Sequence, residues 1–232
     1  MAYNASLIAV KVDNKDGLNA TPDIDEGVRL AVEAGASVIN ISLGGFDVYR
    51  GYIEQDLINA VNDGVTIVVS AGNDSADCLT LTDCSYRAVL PFLKGHEELL
   101  SGDCGWIVVG SVDRKMIYHK GLIISTTSEL QMSGFSNRAG LLKDNFVVAV
   151  GGLVYASIFD NKFSATQGTS LTAPQVSGVV ALMKEKFPSL TGKQIANIIF
   201  QTADDLGEVG IDDVYGHGLV NVKKAFELAK TL

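Results

Sequence analysis

Basic charge is scarce in this chain of 232 residues. Lys and Arg number 18 against 27 Asp and Glu, a net charge of −9. A domain that grips nucleic acid through its phosphates is ordinarily basic, so that class of partner is excluded. Proline is also scarce, at 4, and the 24 glycines follow no G-X-Y period, which excludes collagen and linker-like chains. No apolar run approaches the roughly 20 residues of a membrane span; Val65-Val69 and Phe146-Val150 read as buried strands instead. The segment Met1-Ala2-Tyr3-Asn4 has no basic n-region, so no signal peptide is read there. Three cysteines, at 78, 84 and 104, do not make a disulfide framework. Cys78 and Cys84 share one polar stretch, where a local loop disulfide and two free thiols are equally open readings. Without a CxxC, and with no His near a Cys in sequence, zinc is not expected.

What the chain does have is apolar residues, 47% of the total, enough for one ordered α/β domain with a large core. Strand and helix patterns alternate. Ser6-Val12, Ser37-Leu43 and Val65-Ala71 read as strands. Between them, Thr21-Pro22-Asp23 opens a helix with Ile24, Val28, Ala31 and Val32 on its buried face, stopped at Gly35. Gly51-Asn62 forms a second helix, with Ile53, Leu57, Ala60 and Val61 inward and Gly64 as its stop. Helical connections of this length imply right-handed βαβ units. The fold class is therefore α/β, a doubly wound, mostly parallel sheet with helices on both faces. Asn73-Cys104 reads mainly as loop, Trp106-Val112 and Phe146-Val150 as strands, and Val154-Phe159 with its successor as a hairpin. Lys115-Arg138 has no clear pattern. Helices are expected from about Ser170 to Lys186, from Thr191 to Thr202 and from Val222 to Lys230.

Three short segments carry chemistry. In Gly168-Thr169-Ser170-Leu171-Thr172-Ala173-Pro174, a Ser follows a Gly-Thr turn where a long helix begins. Unpaired N–H groups and the positive end of the helix dipole favour a developing anion there, which suits a nucleophile. A plain Ser N-cap is the commoner use of such a residue. Ser70-Ala71-Gly72-Asn73 ends a parallel strand, at the edge where doubly wound sheets bind ligands, and an Asn there can donate to an oxyanion. An Asn turn is the commoner alternative. Ile39-Asn40-Ile41-Ser42-Leu43-Gly44-Gly45 ends another strand in small residues that let a substrate backbone approach.

Together and in this order, these segments resemble the subtilisin-like serine proteases, the subtilases or S8 peptidases. Ala9-Val10-Lys11-Val12 and the closing Tyr215-Gly216-His217-Gly218-Leu219-Val220-Asn221 extend the resemblance through the chain. It implies that Ser170 attacks the scissile carbonyl. It implies that Asn73 and the Ser170 N–H hold the oxyanion. Ser42, Leu43 and Gly44 would line one side of the substrate groove, and Ala71 and Gly72, with Thr169, the pocket beside it. It implies a polypeptide substrate and a secreted or cell-surface location. Calcium is common in the family, but no ligand run here matches one, so no cofactor or metal is assigned.

The family's triad also needs an Asp in a D-[ST]-G context and a His in an H-G-T-H context, both earlier in the chain. Neither motif occurs. His96, His119 and His217 all follow Asn73; His217 is expected to be structural, the other two solvated in loops. The expectation is a partial subtilase domain over residues 1–232, lacking the segment with the triad Asp and His and inactive alone. Met1-Ala5 would fall where the family has a Gly-x-Ala-Pro-like stretch. Surface uncovered by that lack would favour self-association. The alternative is a non-catalytic peptide-binding or structural module of the same fold. A G-x-S-x-G hydrolase is excluded, since that motif is absent.

Overall fold

The computed structural model describes residues 2–12, 24–43, 53–79, 102, 104–119 and 122–232. Helix α1 (Ile24–Glu33) carries buried Ile24, Val28 and Ala31 on one face, and Gly35 ends it with φ of +82°, a conformation that costs a Cβ-bearing residue. Strand β1 (Val38–Ile41) follows, then α2 (Ile53–Asn62), then β2 (Thr66–Ser70), whose five residues are all buried. Strand β3 (Trp106–His119) is long, and β4 (Leu122–Met132) folds back on it. Strand β5 (Phe146–Val150) completes the main sheet, and β6 (Val154–Ile158) with β7 (Lys162–Thr166) forms a separate hairpin. Three helices close the chain: α3 (Ala173–Lys186), α4 (Gly192–Thr202) and α5 (Val222–Ala229).

The pairings β1–β2, β2–β3 and β3–β5 are parallel, and β3–β4 is antiparallel. Alternation of side chains divides the core in two. Ile67, Val69, Trp106, Val108, Phe146 and Val148 face the layer of α1 and α2. Val68, Ile107, Val109, Val147 and Ala149 face Ala173, Val176, Val180 and Met183 of α3 and Ile195 and Ile199 of α4. Strands buried on both faces read as the continuous apolar runs seen in the sequence. The doubly wound α/β expectation therefore holds.

Local signals behave as their chemistry dictates. Thr191 and Gln194 form a reciprocal capping box at α4, with Gln194 N donating to Thr191 Oγ1 (3.2 Å) and Thr191 N donating to Gln194 Oε1 (2.8 Å). Asn221 caps α5 by accepting from Lys224 N at 3.0 Å.

Three expectations need correction. Residues 6–12 form no strand: Leu7 is 92% exposed and no backbone ladder engages this stretch among the described residues. An apolar alternation becomes a strand only where a neighbour accepts its hydrogen bonds, and β1, the end strand of the sheet, pairs with β2 alone among the described residues. Val10 and Val12 instead approach α1, where a Cβ on Gly27 would stand 2.6 Å from Val12 Cγ1. The second correction concerns His119, expected in a loop. It ends β3, and residues 115–132, which show no clear pattern in sequence, are the outer part of β3 and its partner β4. The third is the start of the helix expected at Ser170. A 3₁₀ turn (Thr169–Leu171) precedes α3, and Ser170 lies inside that turn rather than at an N-cap. The expected N-terminal ends of the first two helices (21–23 and 51–52) and His96 lie outside the described residues.

Candidate active site

The site forms where β1 and β2 reach their carboxyl ends and the 3₁₀ turn before α3 passes over them. Ligand sites of doubly wound sheets lie at this edge because the strand ends there expose backbone and the helix ends face it. The structure brings together Ser42, Ala71, Gly72, Asn73, Thr169 and Ser170. Leu43 follows Ser42 at the same strand end and is half-buried. Gly44 lies outside the described residues.

Ser170 is exposed, and its Oγ donates to the carbonyl of Ser42 at 3.2 Å. Its N–H belongs to the opening turn of a helical segment, whose donors have no preceding helical carbonyl. Asn73 is anchored through its oxygen. Its Oδ1 accepts from Thr169 N and from Thr169 Oγ1, both at 2.9 Å. The same Thr169 hydroxyl accepts from Gly72 N at 3.1 Å. With Oδ1 committed twice, the carboxamide cannot flip without losing both bonds, so Nδ2 points the other way. A Cβ on Gly168 would stand 3.5 Å from Asn73 Nδ2 and 3.9 Å from Ser170 N, so two donors flank one small volume. Gly168 occupies φ of +146°, which only glycine adopts readily, and it leaves that volume open.

The supporting contacts are buried around Thr169, Thr172 and Asn137 and exposed around Asn40. Thr169 and Thr172 are fully inaccessible, and Thr172 Oγ1 donates to Thr169 O at 2.8 Å. Asn40 Nδ2 donates to Ser42 Oγ at 3.0 Å, and Ser177 Oγ of α3 donates to Asn40 Oδ1 at 3.2 Å. Asn137, which no local motif marked, reaches the β2 end from 66 positions away. Its Nδ2 donates to Ala71 O (2.9 Å), and its Oδ1 accepts from Asp74 N and Ala76 N (each 3.0 Å). The only hint in the sequence is a lone Asn in the run Phe135-Ser136-Asn137.

No imidazole contacts Ser170 Oγ among the described residues. His217 Nε2 donates to Asp144 O at 3.0 Å, and the ring stacks on Phe200 with centroids 4.7 Å apart. Burial holds its pKa below the ordinary histidine value, against the weaker pull of the Asp144 carbonyl and charge. The structural role expected of His217 is what the geometry gives. Cys78 is disulfide-bonded, and its partner lies outside the described residues; Cys104 is a buried thiol whose sulfur accepts from Asn145 Nδ2 at 2.9 Å. Among the described residues no group of three His, Cys, Asp or Glu could hold a metal ion, and no helix is long and apolar enough to cross a membrane.

Comparison with known proteins puts a family to this geometry. The chain is 29% identical over 225 residues to Subtilisin DY of Bacillus licheniformis, covering 97% of this chain and 69% of that protein. It is 38% identical over 180 residues to Serotype-specific antigen 1 of Mannheimia haemolytica, covering 74% of this chain and 16% of that protein. Among solved structures it is similar to the patellamide maturation protease PatA, with TM-score 0.66 and 25% identity over 90% of this chain and 68% of that one. Against another structure of the PatA protease domain the chain spans 65% of the relative's length, so it corresponds to part of each. The match to the subtilase family runs over residues 1–218, and the chain belongs to that family of serine proteases, the S8 peptidases.

Proposed function

We propose that these residues form the acyl-transfer half of a serine endopeptidase site. Ser170 Oγ attacks the carbonyl of a polypeptide substrate and becomes acylated as the peptide C–N bond breaks, and the amine departs carrying the proton that Ser170 gives up. Asn73 Nδ2 and Ser170 N–H donate to the oxygen that gains charge. Ser42, Leu43 and Gly44 line the groove on one side, and Gly72 walls the pocket next to the cut, with buried Ala71 and Thr169 behind it. The observation that carries this reading is the double hydrogen bond from Thr169 to Asn73 Oδ1, which leaves Nδ2 and the Ser170 N–H flanking one volume. Donors fixed before the reaction cost no reorganisation during it, which is why such a pair accelerates acyl transfer.

A full-rate site also needs a base for the Ser170 proton, and Ser170 Oγ is turned to the Ser42 carbonyl instead. In subtilisin, removing the catalytic His alone costs on the order of a millionfold in kcat. The 232 residues alone are accordingly expected to be nearly inactive toward peptide bonds. The same observation favours a second reading, a peptide-binding module in which an extended chain pairs beside Ser42 without being cut. The end position of β1 among the described strands and exposed Leu7 fit self-association of this chain. Family membership supports a location outside the cell or on its surface.

Hydrolysis of p-nitrophenyl acetate decides between the readings. Turnover that S170A abolishes and N73A lowers about 100- to 1000-fold supports acyl transfer. Peptide binding with no turnover above that of S170A supports the binding module.

A further inference from the structure

We propose that Asn137 is a positioning residue for the Asn73 donor. It acts through the backbone of the loop that carries Asn73, and this role rests on the acyl-transfer reading above.

The loop Ala71–Ala76 leaves the end of β2 and must hold Asn73 at a fixed height over the sheet. Such a loop has few partners of its own, because its backbone has left the β-ladder. Asn137 supplies them. Its side chain is fully buried and spans the loop, donating to Ala71 O on one side of Asn73 and accepting from Asp74 N and Ala76 N on the other. Its own N–H donates to Gly72 O at 3.1 Å. The residues beside it extend the seam: Ser75 N donates to Phe135 O (3.0 Å), Arg138 N donates to Ala76 O (2.9 Å), and Arg138 pairs with Asp77.

Two further features fit a clamp. Gly72 has φ of +97°, and a Cβ there would lie 2.5 Å from Asn137 Nδ2, so the close approach requires glycine at 72. The Asn73 side chain, by contrast, is tied to Thr169. Two anchors therefore act on one donor. Thr169 sets the rotation of the carboxamide, and Asn137 sets the position of the backbone that bears it.

A clamp acting only through Asn73 has a signature that a general stabiliser lacks. N137A is expected to lower kcat for p-nitrophenyl acetate on the order of 100-fold with little change in KM, the cost of a displaced catalytic group. Added to N73A, it is expected to lower the rate no further, because the donor it places is already gone. Amide hydrogen exchange at Asp74 and Ala76 is expected to rise about tenfold or more in N137A, while Val68 and Val108 in the core strands keep their protection. Factors that multiply in the double variant, or unchanged exchange at Asp74 and Ala76, overturn the proposal. Turnover that persists in S170A refutes the acyl-transfer reading and with it the catalytic half of this one; the exchange measurement then decides the clamp by itself. Where N137A fails to fold, N137S enters the same cycle with the same expected outcomes, since its hydroxyl ends one bond short of the Asn137 Oδ1 and Nδ2 that hold Asp74 N, Ala76 N and Ala71 O.

Discussion

Replacing Thr169 with Val removes one hydroxyl from a fully buried position and changes little in shape. That hydroxyl donates to Asn73 Oδ1 (2.9 Å) and accepts from Gly72 N (3.1 Å). Each bond contributes about 1 kcal/mol net, and the stranded Gly72 N–H adds a desolvation penalty, so T169V should cost about 2–3 kcal/mol. For a chain of this size that is a fall in Tm of about 4–12 °C. T169S keeps both bonds and loses one methyl group, about 1 kcal/mol. The rate should separate the two variants further. In T169V the Asn73 carboxamide keeps only the bond from Thr169 N, so kcat should fall about tenfold, less than the 100- to 1000-fold expected when the Asn side chain is removed. T169S should stay near the parent rate. Urea unfolding and initial-rate assays on both variants read this out. Equal stability and equal rates for T169S and T169V would refute the claim that the hydroxyl orients Asn73.

Other outcomes follow from the same geometry. Gly168→Ala forces a Cβ onto φ of +146° and toward Asn73 Nδ2, so it should cost about 1–3 kcal/mol in urea unfolding and slow acylation. Stability should depend on His217. Its folded pKa lies below the unfolded value near 6.5, so the unfolded state binds more protons. The contribution of neutral His217 is whole above that value and is lost as pH falls through the folded pKa. Phe200 from α4 and Asp144 from the turn before β5 face the ring, and the Asp144 charge opposes the shift without cancelling it. H217F should flatten the fall of urea-unfolding stability between about pH 7 and 5. Cys104, which is 5% exposed, should react with thiol reagents only after denaturant is added; fast labelling of Cys104 in the native protein contradicts the packing.

How far the sequence could be read depended on how local each signal was. Strand β5 matches its apolar run residue for residue, because a strand buried on both faces admits no polar interruption. The α4 start was legible in Thr191, whose cap needs only its own next turn. Asp113, Arg114 and Lys115 hid the extension of β3, since an outer two-stranded ribbon needs no apolar alternation. Residues 6–12 misled in the opposite sense: the pattern of a strand is present, and no strand among the described residues pairs with it. At the site, Asn73 and Ser170 were visible in short motifs. The contacts that support them were not, because Thr169 and Asn137 act across separations of 96 and 63 positions through single hydrogen bonds that leave no period in the sequence.

Acylation of Ser170 is the central claim, and intact mass with peptide mapping tests it most directly. The protein would be incubated with an activated N-acyl amino acid p-nitrophenyl ester and quenched in acid. The account predicts one acyl group, mapped to the peptide bearing Ser170, slower to form in N73A and absent in S170A. An unmodified Ser170 under conditions that acylate other residues, or equal labelling of S170A, would contradict it.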